Sequence, residues 1–133
     1  MTIERSANNA RGYVATETTK GKVDHKECLD IGNQVNWDAA ADAPVNQGLN
    51  GTNRLPSDTM LPGFRTIIRR YFAEMDRVAT LVSELMALGM GAPRTYFRDA
   101  MASAHTSHLR LNHYPECADP SSALGVGPHS DGE

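Results

Sequence analysis

Between Leu61 and Leu88 apolar side chains return every three or four positions: Phe64, Ile67, Ile68, Tyr71, Phe72, Met75, Val78, Val82, Leu85 and Leu88 among them. That is the 3.6-residue period of an amphipathic helix. Arg65, Arg69, Asp76, Arg77, Thr80 and Glu84 fall on the other side. Pro62 suits a first helical turn, and Gly89, Gly91 and Pro93 supply the stop. Charges placed like these arginines are the solvated side of a packed helix more often than a binding face. A stripe this long must be buried against something, so the rest of the chain is expected to provide its partner. The helix is read as a scaffold.

The flanks read as strands and loops. The first ten residues are polar and without period, a frayed start. Arg11-Gly12-Tyr13-Val14 is a short extended piece that runs into a loop over Thr16 to Lys22. Lys26 to Gly32 is a strand or an irregular edge segment. Gly32 to Asp58 carries Asn, Gly and Pro throughout, with at most one helical turn near Trp37 to Ala43. Loops so long are usually functional, so a lid or rim stands beside plain disorder. After the helix, Arg94 to Thr106 is a mixed connector. Ser107 to Tyr114 then reads as a strand with Leu109, Leu111 and His113 on one face and Arg110, Asn112 and Tyr114 on the other. Pro115 ends it, Glu116 to Ser122 is a loop, and Ala123 to Val126 is extended again. No internal repeat is present.

Composition excludes several classes. The 133 residues have a net charge of −3, from 13 basic and 16 acidic residues mixed along the chain. No basic run favours nucleic acid, and no apolar run is long enough for a bilayer or a signal peptide. The two cysteines, Cys28 and Cys117, form no framework, which makes a reducing cytoplasm the expected compartment. Asn50-Gly51-Thr52 fits a glycosylation sequon but reads as a turn.

Chemistry concentrates near the C-terminus. His129 and Asp131 are two residues apart, and on a strand such residues share one face at roughly 6.5 Å. Imidazole and carboxylate then converge on one metal ion, and this donor pair suits a borderline divalent metal. With a second histidine it makes the facial triad of non-haem Fe(II) oxygenases, which leaves one face open for co-substrate and O₂. Asn112 and Tyr114 repeat the same spacing upstream, an amide and a phenol able to donate hydrogen bonds to a carboxylate. The remaining histidines read as ordinary: His25 in a polar loop, His105 and His108 on opposite sides, His113 turned away from Asn112. Gly125-Val126-Gly127 permits a turn, and no helix follows to make it a phosphate loop.

The run Arg110, Leu111, Asn112, Tyr114, Pro115, Cys117, Pro120, Leu124, Gly125, His129 and Asp131 resembles the iron-binding half of the isopenicillin N synthase-like family. These are 2-oxoglutarate/Fe(II)-dependent dioxygenases. Arg11-Gly12-Tyr13 and Lys26-Glu27-Cys28-Leu29-Asp30-Ile31-Gly32 are similar to two further segments of that family, with Leu29 in place of its usual aromatic. Leu55-Pro56 stands where Trp-Pro is common. The resemblance implies His129 and Asp131 as the first two iron ligands and Asn112 and Tyr114 as residues reaching towards 2-oxoglutarate. It implies Fe(II), 2-oxoglutarate and O₂ as cofactor and co-substrates, and a small-molecule substrate that is hydroxylated, desaturated or cyclised. The family's second metal histidine and its Arg-x-Ser carboxylate clamp lie tens of residues past the Asp, beyond Glu133.

The expectation is therefore an α+β chain. Residues 1–60 form an extended and loop region, and 61–133 form the long scaffold helix and the first strands of a partial double-stranded β-helix, or jelly-roll. As an incomplete piece of such an enzyme it should be inactive alone, expose apolar surface and strand edges, and lack a cooperative high-temperature melt. Two alternatives stand: a non-catalytic binding or assembly module built on this fold, and a family oxygenase that does not use 2-oxoglutarate.

Overall fold

The computed structural model describes residues 3–34, 37, 51–98, 106–119 and 124–130. Its elements in order are β1 (Gly12–Val14), β2 (Thr18–Thr19), β3 (Lys22–Val23), β4 (Glu27–Gly32), α1 (Phe64–Gly89) and β5 (His108–His113). A three-stranded antiparallel sheet runs β1-β4-β5, and β2 with β3 makes a separate hairpin. The sheet thus draws strands from both sides of residue 60. No helix among the described residues is long and apolar enough to cross a membrane.

Lys26 to Gly32, read as a strand or an irregular edge segment, holds the central strand of the sheet. In β4, Leu29 and Ile31 face one way and Cys28 and Asp30 the other, and Asp30 is buried at 5% exposure. A buried aspartate masks the apolar alternation by which a central strand is usually recognised. β5 has the two faces expected of it: Asn112 lies opposite Cys28 and Arg110 opposite Asp30, while Leu111 and Leu109 lie opposite Leu29 and Ile31. The apolar face meets Ile68 and Phe72 of α1, with Leu55 between, and Ile31 at the middle is fully buried. Trp37 closes this core edge-on to Phe72, ring centres 5.7 Å apart.

α1 begins three residues later than its apolar period suggests. Gly63 sits in the left-handed region at φ 77°, which breaks the run after Pro62, and its N–H donates to Asp58 Oδ1 at 3.3 Å. The end is a Schellman motif, with Ala92 N–H donating to Ala87 O at 2.9 Å and Gly91 N–H to Leu88 O at 3.0 Å. Only Ile68, Phe72 and Ala87 are buried along α1, and Leu81, Val82, Leu85, Met86 and Leu88 are each 46–58% exposed. Exposed apolar surface, as expected, is therefore a property of the described residues.

Two stretches expected to be loose are ordered. Tyr13 N–H donates to Ile3 O at 2.8 Å and Arg5 N–H to Tyr13 O at 2.9 Å, so the start of the chain extends the sheet beside β1. Thr16 to Lys22 holds the hairpin, whose turn residues Lys20 and Gly21 both have positive φ. Residues 38–50 of the long loop, including most of the helical turn expected there, lie outside the described residues. Gly51 to Asn53, however, are buried. Asn53 Oδ1 accepts from Gly32 N–H at 2.8 Å, and its Nδ2 donates to Gly32 O at 2.9 Å. One side-chain amide thus imitates a neighbouring strand at the end of β4. Arg11, 3% exposed, donates to Asn33 O at 2.7 Å, and Asn9 joins the knot by donating to Thr52 O at 2.9 Å. Asn53→Ala removes both the acceptor for Gly32 N–H and the donor to Gly32 O. It is expected to lower unfolding stability by about 1–3 kcal/mol in urea titrations with an unchanged slope.

Candidate metal-facing cleft

The polar face of the sheet opens on a cleft of about 760 Å³ lined by Arg5, Glu17, Lys26, Arg110, Val126 and His129, among others. Its floor is a continuous chain of charges. Arg110 grips Asp30 with two nitrogens, Nε to Oδ1 at 2.7 Å and Nη2 to Oδ2 at 2.8 Å, and reaches Glu17 with Nη1 at 3.0 Å. Lys26 Nζ lies 3.0 Å from Glu17 Oε2 and 3.6 Å from Asp24 Oδ2. The Asp30 hydrogen bonds raise the Arg110 pKa above its already high value, against burial. Hydrogen bonding to Glu17 likewise raises that of Lys26. Both cations stay charged, and both are matched by carboxylates, Arg110 in the two-pronged geometry that suits a guanidinium.

His129 sits on this wall in irregular backbone, outside any strand; none of the described residues from Leu124 to Ser130 is in one. Its Nδ1 is 2.8 Å from Gly127 O. A carbonyl oxygen only accepts, so Nδ1 carries a proton, and in the neutral ring Nε2 is then the lone-pair nitrogen. A metal-binding imidazole needs this tautomer when Nε2 is the ligand atom. Asp131 lies outside the described residues. Among the described residues no group of three His, Cys, Asp or Glu side chains could hold a metal ion.

Asn112 and Tyr114 are on the polar side of β5 and just beyond its end, both exposed, but neither lines the cleft. The Tyr114 ring lies against Gly125, where an added Cβ would be 3.0 Å from Cδ1. The structure thus brings Arg110 and His129 to one cleft and leaves Asn112 and Tyr114 along its flank. Of the other histidines, His25, His108 and His113 behave as read from the sequence. His113 is on the opposite face, 2.6 Å from Glu27 Oε1, and Tyr13 hydrogen-bonds the other oxygen of that carboxylate. His25 Nε2 is 3.4 Å from Glu116 O, His108 is exposed at the start of β5, and His105 lies outside the described residues. Sequence reasoning missed Glu17, Asp24, Lys26 and Asp30. For Lys26 and Asp30 the signal was the alternation of Lys26, Cys28 and Asp30 leading into and along β4; Glu17 and Asp24, in the turns before it, left none.

No family model matches the chain. Over 78 residues it is 36% identical to gibberellin 20 oxidase 2 of Oryza sativa subsp. indica, covering 56% of this chain and 20% of that protein. Over 128 residues it is 29% identical to 2'-deoxymugineic-acid 2'-dioxygenase of Hordeum vulgare, covering 96% of this chain and 34% of that one. Among solved structures, a full-length Neurospora crassa protein in complex with alpha-KG matches at a TM-score of 0.57 and 26% identity, over 79% of this chain and 33% of its own. JOX2 in complex with 2OG, Fe and JA shares the fold at a TM-score of 0.63 and 23% identity, over 91% of this chain and 33% of its own. The chain spans a fifth to a third of the length of the relatives it matches.

Asp24 makes the cleft sensitive to acid. Burial raises its pKa, but the Thr19 hydroxyl, the Gly127 N–H and Lys26 together outweigh this and hold it below the ordinary 3.8. A depressed folded pKa means that the unfolded state binds the proton more readily. The contribution is complete above the ordinary value and is lost as pH falls through the folded one. Urea unfolding at about pH 6 and about pH 3 should show a smaller loss of stability for Asp24→Asn than for the natural chain.

Proposed function

We propose that this chain is part of a 2-oxoglutarate/Fe(II)-dependent dioxygenase and forms the iron- and co-substrate-facing portion of a non-haem oxygenase acting on a small molecule. The observation that carries this is the His129 Nδ1 to Gly127 O bond, which directs Nε2 as a ligand nitrogen in a polar cleft. In this reading His129 and Asp131 supply two protein ligands to Fe(II), and Asn112 and Tyr114 donate hydrogen bonds to 2-oxoglutarate. The three-stranded sheet is one portion of a double-stranded β-helix, and α1 is its scaffold helix. The names of the relatives support a small organic substrate: two are named for gibberellin and 2'-deoxymugineic acid, and JOX2 is a complex with JA.

The residues present fit a hard or borderline divalent ion. The His129 tautomer is the one a metal ligand needs, and a carboxylate lies two residues on. Bound iron would supply the site for O₂ and for oxidative decarboxylation of 2-oxoglutarate to succinate. The chain's own residues do the rest. His129 is presented by a fixed backbone carbonyl, Arg110 and Lys26 keep the wall charged and ordered, and Asn112 and Tyr114 offer donors on one side of β5.

A second reading, a non-catalytic assembly module, draws on the apolar residues exposed along α1. Ligand-independent dimerisation seen by sedimentation would favour it. Anaerobic calorimetry with Fe(II) tests the first. His129→Ala is expected to weaken binding at least about tenfold and to remove any succinate formed from 2-oxoglutarate. Binding and turnover equal to the natural chain would sink the assignment.

A further inference from the structure

His129 is carried by Gly125-Val126-Gly127-Pro128, a stretch with two glycines and no strand pairing among the described residues. A backbone of this kind has many conformations open to it, and nothing in a ladder holds it still. Yet the carbonyl that orients the His129 ring belongs to Gly127. Something has to fix that residue.

The turn between β3 and β4 does so from two points. His25 N–H donates to Leu124 O at 2.8 Å, which secures the start of the stretch. At its other end, Gly127 N–H donates to Asp24 Oδ1 at 3.4 Å. Asp24 is itself buried at 5% exposure and held on its second oxygen by Thr19 Oγ1 at 2.9 Å, with Lys26 Nζ at 3.6 Å. Thr19 also packs on Gly127 directly: an added Cβ there would meet Thr19 Cγ2 at 3.1 Å and Cβ at 3.3 Å. The N–H of Gly127 is thus tied to a buried carboxylate while its C=O is tied to the imidazole.

We propose that Asp24 is a positioning residue for His129, acting through Gly127 to hold the imidazole in the Nδ1–H tautomer with Nε2 as the ligand atom. This deepens the metal-site reading and rests on it. Asp24 touches no metal. It sets the backbone residue that sets the ligand, as partners of metal-bound histidines do one step removed.

The test is nitrogen–proton correlation spectroscopy of the histidine rings in the metal-free, labelled full chain, at a pH where imidazole is neutral. In the natural chain the proton of His129 is expected on Nδ1. Asp24→Ala should move the population towards Nε2–H and lower Co(II) affinity about tenfold, with the β4 and β5 amide signals in place. Asp24→Asn keeps an oxygen for the Gly127 N–H and should retain the natural tautomer. Thr19→Val, which removes the hydroxyl donor to Asp24 Oδ2 and leaves Lys26 beside it, should shift it partway. An unchanged His129 tautomer in folded Asp24→Ala overturns the proposal. If that variant does not fold, an unchanged tautomer in Thr19→Val overturns it instead. Co(II) added to the natural chain checks the underlying reading separately. Broadening of the His129 ring signals is expected, and its absence would remove His129 as a ligand while leaving the tautomer result to stand or fall alone.

Discussion

The pairing of Arg110 with Asp30 is the contact on which the rest of this structure leans. It joins β5 to the middle of β4 across 80 residues of sequence, through two parallel N–H to oxygen bonds. Asp30 has little access to water, so its charge depends on the cations beside it, chiefly this guanidinium and, at 3.9 Å, that of Arg5. Removing Arg110 would leave that carboxylate the longer contact to Arg5, and a buried charge left underpaired is costly. The same pair separates the two faces of the sheet: Leu29 and Ile31 turn towards α1, while Arg110 passes charge on through Glu17 and Lys26 to Asp24. Core and cleft are built on the two sides of one strand.

What the sequence revealed of the fold follows from how each element is stabilised. α1 was legible because its apolar period is long and its punctuation conventional, with Gly91 and Ala92 making the terminal turn. β5 was legible because Leu109 and Leu111 alternate with polar neighbours. β4 was legible as a strand or an edge segment but not as the central strand, since its inward residues on the second face are Cys28 and Asp30, and an aspartate paired 80 positions away looks like a surface residue. The order of residues 3–13 and 51–55 was hidden for a related reason. Asn9, Arg11 and Asn53 are held by side-chain to backbone bonds, which leave no periodic trace.

The cleft was legible in its chemistry and not in its geometry. His129 was marked by residue type and spacing, but the strand that the spacing presupposed is irregular backbone at His129. The ring is oriented by a carbonyl two residues back, a local bond that the Gly-x-Gly-Pro run makes possible without announcing. Arg110 entered the reading as a letter of a motif and a polar-face residue of β5, with no role at the site, yet it lines the same cleft as His129, whereas Asn112 and Tyr114 flank it. Side-chain direction along β5 was right, and which of those side chains lines the cleft depended on residues from another turn.

The Asn53 amide at the end of β4 has one more consequence. Strand pairing is indifferent to small slips wherever successive backbone groups look alike, and a shift by one residue turns every side chain to the opposite face. Asn53 recognises both the N–H and the carbonyl of Gly32 at once, and Arg11 secures the neighbouring Asn33 carbonyl. Those are groups any residue offers, but a Cβ at position 32 would collide with Arg11 Cζ, so the place beside the amide accepts a glycine and rejects its neighbours in β4. The amide and the bare glycine together work as a gauge block: they fix the sheet's zero point, and with it the side on which Asp30 meets Arg110.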